Sequence, residues 1–153
     1  MLGILSERDI ESLLSTRVYG HLGYNHNGRS YVVPINYFYR DSVIYAHSGF
    51  GQKIALMRQN PDVCFQVEDI RTTFRWKSAL VWGIFEEIND SDERQRVMQG
   101  LIHRIMPLTN SPDEHPSHGI TENDADVDVS VPIIVYKIKI YEKSGRFEEH
   151  SAF

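Results

Sequence analysis

Apolar residues recur along this chain with two periods, and the switches between them mark its elements. Near the N-terminus Ile10, Leu13 and Leu14 fall on one face of a helix predicted from about Ser6 to Ser15. Ser6 can cap the Asp9 amide while the Asp9 carboxylate reaches back. The period then shortens toward two. Val18 to Tyr24, a turn over Asn25-His26-Asn27-Gly28, and Ser30 to Arg40 read as a hairpin closed by Asn-Gly. Pro34 can donate no ladder hydrogen bond, so a bulge or a sheet edge is expected there. Asp41-Ser42 turns into a strand from Val43 to Ser48, which Gly49 to Gly51 break. Ile54, Leu56 and Met57 then have helical spacing within Gln52 to Gln59, a helix that must stop before Pro61.

Val63, Phe65 and Val67 alternate with polar neighbours, the pattern of a half-buried strand, and Ser78 to Ile88 is a longer strand. Asp90-Ser91-Asp92-Glu93 opens a helix whose Val97, Leu101 and Ile105 repeat every four residues, and which ends at Pro107. From Leu108 to Ser130 runs a loop rich in Asp and Glu and free of Lys and Arg. Loops of that length are usually functional or mobile. The last strand is expected from Val131 to Tyr141, with a polar tail to Phe153. Six strand-like segments with short turns and two or three helices predict a mainly β, antiparallel barrel with helices at its mouth or side. The helices are too few for βαβ alternation, and the whole of 1–153 reads as one domain.

Composition narrows the chemistry. At 153 residues, 41% hydrophobic, the chain can bury a core without staples. Its single cysteine, Cys64, has no partner for a disulfide or a thiolate zinc site and reads as strand packing. A net charge of -5 argues against broad nucleic-acid binding and against an anionic membrane surface. No stretch approaches the roughly 20 apolar residues of a membrane span, and the N-terminus has no signal-peptide pattern, so a cytoplasmic protein is expected.

Two constellations carry chemistry. In Tyr45-Ala46-His47-Ser48-Gly49-Phe50-Gly51-Gln52-Lys53 a strand ends in small residues and enters a helix with lysine in its first turn. Free amides at the helix start, the Ser48 hydroxyl and the Lys53 ammonium would suit a phosphate group. The competing reading is an ordinary turn with a solvated lysine; the spacing is not that of a P-loop. In the second, Val32 to Tyr37 is joined by Arg75-Trp76-Lys77-Ser78. A proline-marked bulge would re-aim backbone groups so that they and Asn36 read the edge of a planar ring. Alternatively Val33 and Ile35 are core and Asn36 is surface. His115 and His118 in the acidic loop are expected to be solvated rather than zinc ligands, His103 to be structural or partner-facing, and no nucleophile elbow is present.

Taken in order, Tyr31-Val32-Val33-Pro34-Ile35-Asn36-Tyr37, Ile44-Tyr45-Ala46-His47-Ser48 to Lys53, Asn60 to Val67, Lys77 to Gly83 and Ser144-Gly145-Arg146 resemble the pyridoxamine 5'-phosphate oxidase-like split barrel. Within it they resemble the nitroimidazole-resistance branch. The resemblance implies a six-stranded antiparallel FMN-binding split β-barrel that forms a homodimer with FMN at the interface. Lys53 and Ser48 would bind the phosphate, Val33, Pro34, Ile35 and Asn36 would lie along the isoalloxazine, and Trp76, Lys77 and Ser78 would approach from a neighbouring strand or subunit. His47 would face the substrate. Gln52 stands where the family commonly has a basic residue, and the C-terminus, Glu148 to Phe153, lacks the basic cluster of the true pyridoxamine 5'-phosphate oxidases. The implied activity is an FMN-dependent oxidoreductase acting on a small planar, nitroaromatic-like acceptor. The alternatives are a flavin-, haem- or deazaflavin-binding protein without turnover, and oxidation of pyridoxamine 5'-phosphate.

Overall fold

A computed structural model of the protein describes residues 1–105 and 132–150. The acidic loop with His115 and His118, and the helix end at Pro107, lie outside them. The described elements are β1 (Leu2–Ile4), α1 (Glu7–Thr16), β2 (Tyr19–His26), β3 (Arg29–Asn36), β4 (Phe38–Arg40), β5 (Val43–Gly49), α2 (Gln52–Gln59), β6 (Asp62–Thr72), β7 (Arg75–Glu87), α3 (Ser91–Ile105) and β8 (Ile133–Glu149). All pairings are antiparallel, in the order β3-β2-β6-β7-β8-β5-β4, with β1 beside β8. The two ends of this order, β3 and β4, are separated only by Tyr37. The sheet therefore curls into a barrel that is not closed by hydrogen bonds.

The antiparallel barrel and its main helices stand as the sequence predicts, with local corrections. The sheet has eight strands rather than six. β1 was not foreseen because three residues carry too little pattern, and Ser30 to Arg40 divides at Tyr37, whose amide turns back to the Val18 carbonyl (3.1 Å). Pro34 pairs opposite His21 in an unbroken register, so it marks an edge and no bulge. The bulges lie elsewhere: one at Ile70/Thr72, and one where Trp82 faces Glu142 while Gly83 faces Ile140. Tyr141 is thus the extra residue. It flips the inward face of β8 from even to odd positions, so Tyr136 and Ile138 are buried before it and Gly145 after it. A period-two reading stops at that flip, although the strand continues to Glu149.

Local chemistry sets the turns as expected. Asn27 (φ 50) and Gly28 (φ 79) close the first hairpin, and Asp41 (φ 51) and Ser42 (φ 60) the next. These are the positive angles that Asn, Asp and Gly tolerate best. Ser6 caps α1 by accepting from the Asp9 amide (3.1 Å), but its hydroxyl donates to the Asp9 carboxylate (2.9 Å), which does not reach the Ser6 amide. Asp90 caps α3 through the Glu93 amide (2.9 Å).

Apolar side chains form two clusters. Inside the barrel lie Leu22, Ile44, Phe65, Val81, Tyr136 and Ile138, with α1 contributing Leu13 and Leu14 and α2 contributing Ile54 and Met57. Outside it, α3 lays Val97, Leu101 and Ile105 over Ile133 and Val135, with Phe38 and Tyr45 alongside. No described helix is long and apolar enough to cross a membrane.

Two tyrosines are fully buried, and burial pushes both hydroxyls to higher pKa. Tyr37 donates to the Leu14 carbonyl (2.6 Å), whereas the Tyr136 hydroxyl has no partner among the described residues. Phenylalanine should therefore act with opposite signs at the two sites. Tyr136→Phe removes an unsatisfied polar group and should stabilise by up to about 1–3 kcal/mol, while Tyr37→Phe should cost about 1 kcal/mol. Urea denaturation of both variants checks this, and a destabilised Tyr136→Phe would show that its hydroxyl is satisfied.

Candidate functional site

The helix α2 begins without side-chain help. Gly51 occupies its N-cap in an extended conformation, and no side chain accepts from the first amides. Those amides, the positive end of the helix dipole, and Lys53 in the first turn all favour an anion. Lys53 is partly buried, and among the described residues no carboxylate lies within ion-pairing distance of it. Burial alone lowers its pKa. The free protein thus holds a desolvated ammonium without a described counter-charge, an arrangement that costs stability unless an anion joins it.

The adjoining strand splits its residues between faces. Ser48 follows Ala46 and Ile44 toward the barrel, and its hydroxyl donates to the Gly49 carbonyl (2.8 Å). His47 lies opposite Val135, on the side covered by α3, with both ring nitrogens shut from solvent. β4 pairs with β5 only over Val43 to Tyr45. From His47 to Gly49, β5 has β8 on one edge and no described strand on the other. β3 runs nearby and is likewise paired on one edge only, by β2. This is the gap in the barrel, where two stretches of unpaired backbone flank each other below the start of α2. Ser48 and Lys53 stand at the end of β5 and in the first turn of α2, and β5 contacts β3 across this gap.

Along β3 the side chains alternate. Val33 and Ile35 pack toward the core, while Pro34 and Asn36 are exposed on the outer face. The four residues therefore cannot all present side chains to one ligand, and what they share is the backbone edge. That outer face continues through Tyr19 and His21 of β2 and Gln66 of β6 to Ser78 of β7. Helix α3 covers the β4-β5-β8 half of the sheet, and among the described residues no other helix lies over the outer face of the rest, the uncovered half. On the uncovered half Tyr19, Val32 and Ile70 are each more than 60% exposed, at 62%, 69% and 63%.

Trp76, Lys77 and Ser78 stand at the far end of β7. The near end of that strand, at Phe85, bonds to the Pro61 carbonyl after α2 (2.8 Å), and Glu87 grips Arg58 of α2. Seven residues of strand separate Ser78 from Phe85, about 23 Å. Trp76 to Ser78 thus stand far along β7 from the point where that strand meets the end of α2. The Trp76 indole donates to Glu148 (3.2 Å), and a groove of about 250 Å³ beside it is lined by three bases, Arg71, Arg75 and Lys77, and three acids, Asp69, Glu148 and Glu149. A second groove, also about 250 Å³, crosses the uncovered face over Gly23, between Val32, Cys64 and Trp82. The Cys64 thiol is pushed up in pKa, chiefly by burial, which keeps it protonated and unreactive. No group of His, Cys, Asp and Glu among the described residues could hold a metal.

His21 and Gln66 were missed by the sequence reading. Their signal is faint: single polar residues at outer positions of apolar strands, informative only once the register sets them side by side.

The family model described as pyridoxamine 5'-phosphate oxidase matches residues 6–147. An uncharacterised protein of Rhizobium meliloti (strain 1021) is 24% identical over 143 residues, 94% of this chain and 93% of that protein. Among solved structures, an FAD-binding protein from Mesorhizobium loti superposes with a TM-score of 0.76 at 28% identity, over 97% of this chain and 99% of its own. A proposed 5-nitroimidazole antibiotic resistance protein from Bacteroides thetaiotaomicron does so with a TM-score of 0.69 at 23% identity, over 96% and 87%.

Proposed function

Since the chain belongs to the pyridoxamine 5'-phosphate oxidase family, we propose that it binds flavin, as FMN, and serves as an oxidoreductase toward a small planar acceptor of nitroaromatic type. The observation that carries this reading is Lys53: a desolvated ammonium beside uncapped helix amides, complete only with an anion such as the FMN phosphate. A bound flavin supplies the electron-transfer chemistry. In this reading Lys53, the amides at the start of α2 and Ser48 hold the phosphate. The free backbone edge of Val33 to Asn36 lies along the ring and excludes water from it. His47, with its nitrogens buried, is assigned no proton transfer.

The same reading makes the protein a homodimer. Trp76, Lys77 and Ser78, at the end of β7 away from α2, would then serve the ligand held by the partner across a two-fold axis. The exposed Tyr19, Val32 and Ile70 supply apolar area for that contact. FAD is a second reading, favoured by the Mesorhizobium loti protein.

The test is the absorption spectrum of the purified protein after adding FMN, with chromatography of any cofactor released on denaturation. Flavin bands and a thermal shift with FMN are expected. Failure of both FMN and FAD to bind would overturn the reading, and a bound flavin that no donor reduces would leave binding without turnover. Light scattering should report a dimer.

A further inference from the structure

A polar chain crosses the uncovered face of the barrel. Gln66 donates through Nε2 to the Ser78 hydroxyl oxygen (2.9 Å) and to a Glu68 carboxylate oxygen (2.9 Å), and its Oε1 lies 3.2 Å from Nδ1 of His21. The protonation pattern follows by elimination. An ionised carboxylate only accepts, so the amide group of Gln66 must face Glu68, which turns its carbonyl oxygen to His21. That oxygen only accepts as well, so His21 must carry its proton on Nδ1. In the neutral ring Nε2 is then the lone-pair nitrogen. It has no partner among the described residues and is not among the nitrogens shut off from solvent. At the other end, Ser78 receives a hydrogen bond and keeps its own proton to donate.

His21 pairs directly with Pro34 across the β2–β3 ladder. It stands between the β3 edge and Ser78, beside the segment that the proposed flavin follows.

We infer that Gln66, held by Glu68 and Ser78, locks His21 in the Nδ1–H form, so that Nε2 is a preset acceptor for a ring N–H of the bound flavin. This inference rests on the flavin reading but assigns a residue that the reading does not use. The locking is economical because both hydrogens of the Gln66 amide are engaged and its oxygen is committed. Turning the amide over would set its oxygen against the Glu68 carboxylate, so Glu68 is what holds the amide, and through it the Nδ1–H form. A ring N–H meeting Nε2 then finds an oriented acceptor with no rearrangement to make.

Long-range ¹H–¹⁵N correlation of histidine in the free protein tests the lock, and flavin titration tests the contact. We expect a protonated Nδ1 and an unprotonated Nε2 at His21, and a shift confined mainly to Nε2 as FMN is added. His21→Leu should weaken FMN and riboflavin alike, by roughly two- to tenfold, because the contact is to the ring and not to the phosphate. Gln66→Leu should lose the Nδ1–H preference. An Nε2–H tautomer in the free protein overturns the lock. Flavin binding with an unmoved Nε2 and unchanged affinity in His21→Leu overturns the contact while leaving the flavin reading intact. Failure of any flavin to bind overturns contact and reading together, and is told apart because Lys53 variants would then have no binding to lose.

Discussion

Lys53→Ala is expected to weaken FMN by about 10- to 150-fold and to leave riboflavin almost unchanged. A charge-assisted hydrogen bond is worth about 1.5–3 kcal/mol, and each 1.4 kcal/mol is about tenfold in affinity. Riboflavin lacks the phosphate, so it should not feel the loss. Equal weakening of both ligands would remove Lys53 from the phosphate site.

The cause of the lysine's lowered pKa adds a second, opposite effect. Burial lowers it with no described counter-charge, so the free protein bears a cost that an apolar side chain avoids. Lys53→Met should therefore raise the melting temperature of the free protein while it weakens FMN. The sign with pH follows from proton counting. Between the lowered folded pKa and the ordinary value of 10.5 the unfolded chain binds more protons, so stability of the free protein rises with pH in that window. The phosphate needs the charged form, so FMN affinity should fall as pH rises through the same window, earlier than for an ordinary lysine. Isothermal titration at several pH values, with riboflavin as control, measures it.

Phe65→Ala should be the most damaging of the core truncations near the site, costing about 3–5 kcal/mol. Phe65 is fully buried and meets the Tyr37 ring edge-on, with centroids 4.8 Å apart at 71°. Tyr37 is the pivot at which the chain leaves β3, paired with β2, for β4, paired with β5, so the cavity would open at the gap in the barrel. Across the ladder sits Gly20, and a Cβ there would lie 2.4 Å from the Phe65 ring and 2.6 Å from the Gln66 carbonyl oxygen. Gly20→Ala should cost about 1–3 kcal/mol, since the ring could shift but the carbonyl is fixed by β2–β6 pairing. Urea denaturation of the two single variants and the double variant separates the effects. If only the ring is in the way, Phe65→Ala should cancel the alanine penalty; a penalty that survives belongs to the carbonyl and to the Val67 methyl, 2.9 Å away.

Much of this was legible in the chain. Asn27-Gly28 and Asp41-Ser42 announced their hairpins because few residues accept those backbone angles, and Ile10, Leu13 and Leu14 announced α1 by their spacing. Lys53 stood out because lysine in the first turn of a glycine-preceded helix is an anion-binding arrangement. The bulge at Tyr141 was not legible, since one inserted residue inverts the pattern that identifies a strand. Nor was the division at Tyr37, where a buried tyrosine fits a continuous strand as well as a pivot.

The sequence by itself determined the barrel class, the family resemblance and the residue types able to hold a flavin phosphate, because these rest on periodicity, turn angles and local capping. Only the tertiary structure decided which of those residues meet. It showed that Val33 to Asn36 share a backbone edge rather than a side-chain face, and that Trp76 to Ser78 lie at the end of β7 away from α2. It also set His21, Gln66, Glu68 and Ser78 in one hydrogen-bonded chain. The physical reason is that register and curl fix distances between strands far apart in sequence, and no local pattern encodes them.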